Sequence, residues 1–334
     1  MSEVSVVICA HTLDRWDELK RAVRSVRTQT HAPREIVVVV DNNEALRERA
    51  ALEIAGVTVV PNANQPGLSG GRMTGAECVT ATVIAFLDDD AVADKHWLEE
   101  LLEAYRDPAA MGAGGPVEPL WQAPPPSWFP DEFRWVVGCT YVGMQVRNGR
   151  IRNPIGANMS VRADVLWRAG GFSSALGRRK LGFSVSGRAR IGGKAESCEE
   201  TEFCIRAAHL YPGGYWAYMP AARVHHGVPV QRTTWKYFVH RCLVEGTAKA
   251  VLTDLAGSKD SLGAEGRYVR EVLPRAVASA LGAAMCGNVG AARRAVAIMA
   301  GLALTASAYA ITRLSGVAEA LSRHLLSRVR LRRA

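Results

Sequence analysis

Three short, nearly all-apolar runs, each followed by a helix-forming segment, limit this chain more than any other feature. Val4-Ser5-Val6-Val7-Ile8-Cys9-Ala10, Ile36-Val37-Val38-Val39-Val40 and Val57-Thr58-Val59-Val60 are too short for helices. The first two also lack the polar alternation of a strand with one wet face, so they read as buried strands, and the last reads as a third strand. Between them, Leu19, Ala22, Val23 and Val26 fall on one helical face with Arg and Lys opposite, and Glu44 to Ile54 forms a charged helix. Strands alternating with helices predict a parallel, doubly wound sheet, because parallel pairs need a crossover long enough to hold a helix.

A fourth run, Val83-Ile84-Ala85-Phe86-Leu87, ends in Asp88-Asp89-Asp90. Three consecutive carboxylates at the end of a buried strand are costly unless something cationic balances them. Ligands of α/β sheets bind at the carboxyl ends of the strands. Alternation points Asp88 and Asp90 to one side and Asp89 to the other. Two hard carboxylates on one side suit Mg²⁺ or Mn²⁺ held together with substrate phosphates. An acidic turn that merely opens the next helix would look the same in this stretch alone.

The remaining segments are more ambiguous. Gln65-Pro66-Gly67-Leu68-Ser69-Gly70-Gly71-Arg72 opens a helix expected to end near Thr80, as an anion-binding helix start or as a plain tight turn. It is neither a Walker loop nor a dinucleotide fingerprint, since no Gly-Lys-Ser/Thr follows and the first strand leads into Ala10-His11-Thr12. Lys95 to Arg106 is amphipathic, with Trp97, Leu98, Leu101, Leu102 and Tyr105 inward, and Met111 to Val117 reads as a Gly-rich strand. Residues 119–137, with Pro124-Pro125-Pro126, Trp121, Trp128 and Trp135, read as an irregular loop. Its aromatics either stack on a sugar or lipid or plug the loop onto the core. Arg147-Asn148-Gly149-Arg150 reads as a hairpin turn, and residues 173–197 as a long functional or mobile loop. Cys198-Glu199-Glu200-Thr201-Glu202 opens a helix, where acids either cap the dipole or supply a general base. Tyr215 to Met219 reads as a strand and Thr233 to Leu255 as a long helix. His225-His226-Gly227 holds a structural pair or an imidazole metal ligand.

Composition narrows the function classes. The formal net charge is +9, but six Arg and one Glu lie from Arg313 onward, so the remainder carries only +4. That balance, with no zinc-finger, RNP or helix-turn-helix pattern, argues against a nucleic-acid partner. Seven Cys without a Cys-x-x-Cys argue for a reducing compartment, and no basic-then-apolar leader is seen, so a cytoplasmic catalytic face is expected. Pro274 onward is almost all helix-forming, and Ala295 to Thr312 carries no charge. This segment either lies on a bilayer, with the basic tail on anionic headgroups, or packs as a helical hairpin on the domain.

Taken in order, the first strand with its polar loop, Val40-Asp41-Asn42-Asn43, Gly70-Gly71-Arg72, Leu87-Asp88-Asp89-Asp90, Gly156-Ala157-Asn158-Met159 and Glu199-Glu200-Thr201-Glu202 resemble a family 2 glycosyltransferase of the GT-A fold, over residues 4–255. The stretch His225-His226-Gly227-Val228-Pro229 through Arg232, Trp235, Arg241 and Glu245 to Lys249-Ala250 is similar to the glucosyl-dolichyl-phosphate glucuronosyltransferase branch. The resemblance implies an α/β, Rossmann-like, mostly parallel sheet flanked by helices, with a C-terminal helical extension. It implies a nucleotide-sugar-binding half at 1–118, an acceptor half at 119–256 and the extension at 257–334. It implies inverting transfer from a nucleotide-sugar donor, usually a UDP-sugar, to an acceptor alcohol that is lipid-linked or a natural product, with Mg²⁺ or Mn²⁺. By position, Ala10, His11, Asp41, Gly70, Arg72, Asp88 and Asp89 would contact the donor, Asp88, Asp90 and His225 the metal, and Glu200 or Glu199 would be the base. The family commonly has Glu-Asp where this chain has Glu199-Glu200, so the base carries an extra methylene, and Glu202 remains a third choice. Two rivals stay open at this level: a sugar-phosphate nucleotidyltransferase, and a non-catalytic sugar-nucleotide-binding protein.

Overall fold

The computed structural model describes residues 3–144, 146, 149–173, 183–185, 189–191, 198–257, 263 and 265–331. The chain begins with β1 (Val4–Ala10), α1 (Trp16–Arg27), β2 (Ile36–Val40), α2 (Glu44–Glu53), β3 (Thr58–Pro61), α3 (Leu68–Glu77) and β4 (Val83–Asp88). β1 pairs in parallel with β2 on one side and β4 on the other, and β3 extends the sheet beyond β2. The chain therefore winds outward to β3 and returns across β1, leaving a switch point between β1 and β4 where a ligand crevice opens. Val6, Ile8, Val38 and Val40 face a layer containing Leu19, Val23 and Val26, while Val7, Val37 and Val39 face Ala76 and Phe86. Cover on both faces is the reason these strands do not alternate.

The second half continues with β5 (Ala91–Ala93), α4 (Trp97–Glu103), β6 (Ala110–Gly114), β7 (Val117–Trp121), a 3₁₀ helix at Asp131–Val137, β8 (Arg150–Ile151), β9 (Asn158–Arg162) and α5 (Ala163–Arg168). Then come β10 (Phe183–Val185), β11 (Ala189–Ile191), α6 (Glu199–Leu210), β12 (Tyr215–Tyr218), β13 (Val224–Val228) and α7 (Trp235–Ala256). The main sheet runs β3-β2-β1-β4-β9-β6-β12-β8 and is mixed, since β9 lies antiparallel to β4 and β6, and β8 antiparallel to β12. A small sheet, β5-β13-β7, sits beside it.

Several expectations needed correction. The single strand at Met111–Val117 is two strands in two sheets. They break at Gly115-Pro116, where a Cβ on Gly115 would stand 2.0 Å from the Ala222 carbonyl. Within 173–197, β10 and β11 form an antiparallel pair; the rest of that segment lies outside the described residues, as do Arg147 and Asn148 of the expected hairpin turn. Residues 119–137 are not one irregular loop, since β7 enters them and the 3₁₀ helix ends them. Of the two alternatives for the aromatics, the structure shows core packing, with Trp128, Phe129 and Phe133 on the fully buried Phe238 of α7.

The C-terminal part is helical, with α8 (Leu273–Met285) and α9 (Val289–Leu331). Residues Val289–Ser315 are long and apolar enough to cross a membrane by length and composition, at mean hydropathy 1.7. One face of α9 is nevertheless used by the protein: Ala295, Ala297, Ile298 and Ala308 are buried, and Gly301 seats the Phe133 ring. α9 reaches α7 at Gly246, where a Cβ would lie 2.2 Å from the Thr305 carbonyl oxygen. Gly246→Val is therefore expected to destabilise the chain by about 3 kcal/mol. Thermal denaturation measures this, and an unchanged midpoint would mean that α9 does not dock on α7.

Candidate active site

The crevice at the switch point collects the acids. Asp88 is the last residue of β4, and Asp89 and Asp90 turn the chain into β5. The expected alternation holds. Asp89 turns to Arg15, whose Nη1 donates to Asp89 Oδ1 at 2.9 Å and lies 3.1 Å from Asp90 Oδ2. Ligand atoms of Asp88, Asp90 and His226 all lie within 4.8 Å of one another.

The histidine that lies beside Asp90 is His226, while His225, the expected ligand, turns toward Asp94. β13 runs antiparallel to β5 with His226 opposite Ala91, and the Gly227 N–H donates to the Asp90 carbonyl at 2.7 Å. Strand alternation turns Val224, His226 and Val228 inward and His225 outward. His226 Nε2 reaches Asp90 Oδ1 at 3.2 Å, whereas His225 Nε2 sits 2.9 Å from Asp94 Oδ1. The apolar residues two places either side of His226 carry the signal that distinguishes the pair.

Charge balance at Asp90 is tight. Burial opposes its ionisation, but the His226 hydrogen bond and charge, then Arg15 and Arg232, hold its carboxyl well below the usual range. Burial would likewise push the His226 imidazole down, yet the bond to Asp90 and its neighbour Cys139 raise it to about 10. That contribution to stability is complete below the unfolded value of about 6.5 and is lost as pH rises through about 10. Asp89 is raised to about 7 by burial, with Arg15 opposing. Two carboxylates and an imidazole fit a divalent cation, with the nitrogen favouring Mn²⁺ over the all-oxygen shell of Mg²⁺. His226 must lose its proton to become a ligand, so loading releases a proton and weakens as pH falls.

The donor-side residues assigned by resemblance lie at the same ends of the sheet but divide by environment. Ala10 is buried and His11 exposed at the end of β1. Both Asp41 oxygens are occupied, Oδ1 by Asn62 Nδ2 at 2.7 Å and Oδ2 by the Gly67 N–H at 2.8 Å, which pins the loop before α3. Gly70 lies where a Cβ would be 1.8 Å from the Gln65 carbonyl, so close backbone packing accounts for the glycine. Arg72 is only 2% exposed, and its Nη1 donates to Glu200 Oε1 at 2.7 Å, with Asp88 Oδ1 3.6 Å from Nη2. It points into the protein and ties the start of α6 to the end of β4. Asp89, given to Arg15, is equally withdrawn.

Of the acids opening α6, Glu199 is buried and Glu202 is held by Arg206 at 2.7 Å. Glu200 is partly exposed; Arg72 takes its Oε1, and its Oε2 has no hydrogen-bond partner among the described residues. Cys198, the N-cap of α6, has the left-handed φ of 76°, which turns the chain sharply into these acids. Asn158 is a staple: it accepts from Trp97 Nε1 at 2.8 Å and donates to the Pro116 and Ala222 carbonyls, fixing β9, α4 and the small sheet. Sequence reading gave no role to Arg15, which lies in no motif, and named Arg232 only as part of the family stretch after His225; both stand far from Asp90 along the chain.

A mixed sheet with an acidic crevice at the β1–β4 switch point defines a GT-A-type fold. Its overall path matches a mannosyltransferase, PcManGT, from Pyrobaculum calidifontis with TM-score 0.56 at 18% identity, covering 92% of this chain and 86% of that one. The profile described as Glycosyl transferase family 2 matches residues 5–170. A glucosyl-dolichyl phosphate glucuronosyltransferase of Haloferax volcanii is 35% identical over 254 residues, 75% of this chain and 77% of its own length. The succinoglycan biosynthesis protein ExoM of Rhizobium meliloti is 28% identical over 71% of each chain. The chain belongs to glycosyl transferase family 2 and is a glycosyltransferase; both rival readings are set aside.

The histidine assignment is directly testable. His226→Ala should weaken Mn²⁺ binding at least about tenfold, as loss of a ligand does, while His225→Ala leaves it unchanged. Titration followed by electron paramagnetic resonance of free Mn²⁺ separates them, and the reverse ranking would restore His225.

Proposed function

We propose that this glycosyltransferase is inverting and cation-dependent, and moves a sugar from a nucleotide donor, a UDP-sugar, to a hydroxyl of a lipid-linked acceptor. The observation that carries the reading is that Asp88, which meets Asp90 and His226, is joined to Glu200 through one buried arginine, Arg72. Similarity to the Haloferax volcanii glucosyl-dolichyl phosphate glucuronosyltransferase supports a dolichyl-phosphate-type acceptor, and likeness to PcManGT, known in complex with GDP-Man and Mn²⁺, supports a nucleotide sugar and a cation. On this reading residues 1–118 hold the donor, 119–256 the acceptor, and 257–334 form the helical extension.

Asp88, Asp90 and His226 hold the cation, Mn²⁺ or Mg²⁺, which when bound offsets negative charge on the leaving diphosphate. Asp41 keeps the loop before α3 in place beside the nucleotide, with Ala10 and His11 at the strand end. Arg72 occupies one oxygen of Glu200 and fixes its direction. The other oxygen takes the acceptor proton as the hydroxyl attacks. Attack on the face opposite the diphosphate inverts the anomeric carbon in one displacement and needs no covalent intermediate.

The extension brings the enzyme to its acceptor. Val296, Met299, Ala303, Ala306, Ala310 and Leu314 are exposed on α9 at helical spacing, opposite the face docked on the domain. This stripe lies on the bilayer at its cytoplasmic side, with the Arg-rich end on anionic headgroups. Packing of the other face on α7 favours an in-plane helix over a spanning one.

A thermal-shift panel of nucleotides with and without Mn²⁺ tests the site. UDP with Mn²⁺ should raise the melting temperature of the wild type but not of Asp90→Ala. Glu200→Gln should keep that shift while transfer falls by at least about 100-fold. A nucleotide shift indifferent to Mn²⁺, or transfer that survives Glu200→Gln, defeats the assignment.

A further inference from the structure

Arg72 is used in an unusual way. Its guanidinium is 2% exposed, and a buried cation is stable only against fixed counter-charges. Nη1 donates to Glu200 Oε1 at 2.7 Å. Nη2 is buried without a hydrogen-bond partner among the described residues, and lies 3.6 Å from Asp88 Oδ1. That is too long for a hydrogen bond but close enough for strong attraction away from water. One side chain is thus shared by the end of β4 and the start of α6, with one bond made and the other unmade.

The surroundings leave it few alternatives. Phe86 and Phe172 lie 5.9 and 5.5 Å from the guanidinium carbon. On another side the wall is Gly156, where a Cβ would stand 2.0 Å from Glu200 Oε1 and 2.4 Å from Arg72 Nη2. The glycine is the space in which the ion pair sits. The movement left to Arg72 is a short shift between Glu200 and Asp88.

We propose that Arg72 is a positioning residue that couples the cation site to the base, by dividing itself between Asp88 and Glu200 in the pocket left by Gly156. This rests on the reading of Asp88 as a cation ligand and Glu200 as the base. A cation on Asp88 repels the guanidinium toward Glu200 and tightens the 2.7 Å contact that aims it. Conversely, without Glu200 the guanidinium closes on Asp88, completes its unmade bond and competes with the cation. Linkage makes the two effects equal.

The test needs no turnover. Mn²⁺ binding to the full chain is titrated in wild type, Glu200→Ala, Gly156→Ala and the double variant, with thermal melts confirming that each is folded. In Gly156→Ala the new methyl meets only the ends of two side chains, so the fold stays and the pair parts. Each single variant should bind Mn²⁺ about fivefold more weakly or worse. The double variant should be no weaker than Glu200→Ala, because both changes free the same arginine. Losses that multiply in the double variant overturn the coupling, since independent effects add in free energy. Unchanged Mn²⁺ affinity in folded Gly156→Ala overturns it as well. If the wild type itself does not bind Mn²⁺, the cation reading fails and the coupling with it. If it binds and neither single variant differs, the coupling alone fails.

Discussion

Five carboxylates crowd the end of one buried strand, and the fold depends on how they are neutralised. Asp88, Asp89, Asp90, Glu199 and Glu200 would repel one another strongly in a low-dielectric crevice. The chain answers with cations from separate elements: Arg15 after β1, Arg72 within α3, His226 on β13 and Arg232 before α7. Arg15 and Arg232 share Asp90 Oδ2 while His226 takes its Oδ1, Arg15 also reaches Asp89, and Arg72 stands between Asp88 and Glu200. A divalent cation would join an arrangement in which His226, Arg15 and Arg232 already hold the Asp90 carboxyl well below its usual range.

Holding so many charges in fixed places requires a stiff frame, and glycines supply much of it. Gly71 and Gly75 lay α3 directly on Cys9 and Val7, where a Cβ would stand 3.1 and 2.2 Å from the facing side chains. That close approach carries Arg72 under the sheet edge rather than out into the crevice. Gly115 lets the chain leave the main sheet for the small one, and the small sheet is what delivers His226. Asn158 then ties both halves together through three hydrogen bonds, two of them fully buried, that no apolar residue could replace.

α9 joins the domain through small residues and presents an apolar face outward, so the surface proposed to meet lipid is packed directly on the catalytic domain.

Much of the frame could be read from residue order. Consecutive Val and Ile runs can only be doubly covered strands, the Asp triplet can only be a strand-end ligand site or a cap, and the acids before Phe203 start a helix; these depend on local period and charge alone. The family motifs singled out Asp88, Asp90 and Glu200, acids that the fold gathers at one crevice. What residue order left open was every choice made by contacts between distant elements. Whether His225 or His226 enters the site follows from the register of β13 against β5, and the role of Arg72 from α3, β4 and α6 meeting. The importance of Arg15 comes from a turn 74 residues away from its partner Asp89. Local patterns settle which segments fold and how; only packing in three dimensions decides which charges meet, because opposite charges are brought together by the sheet and not by the chain between them.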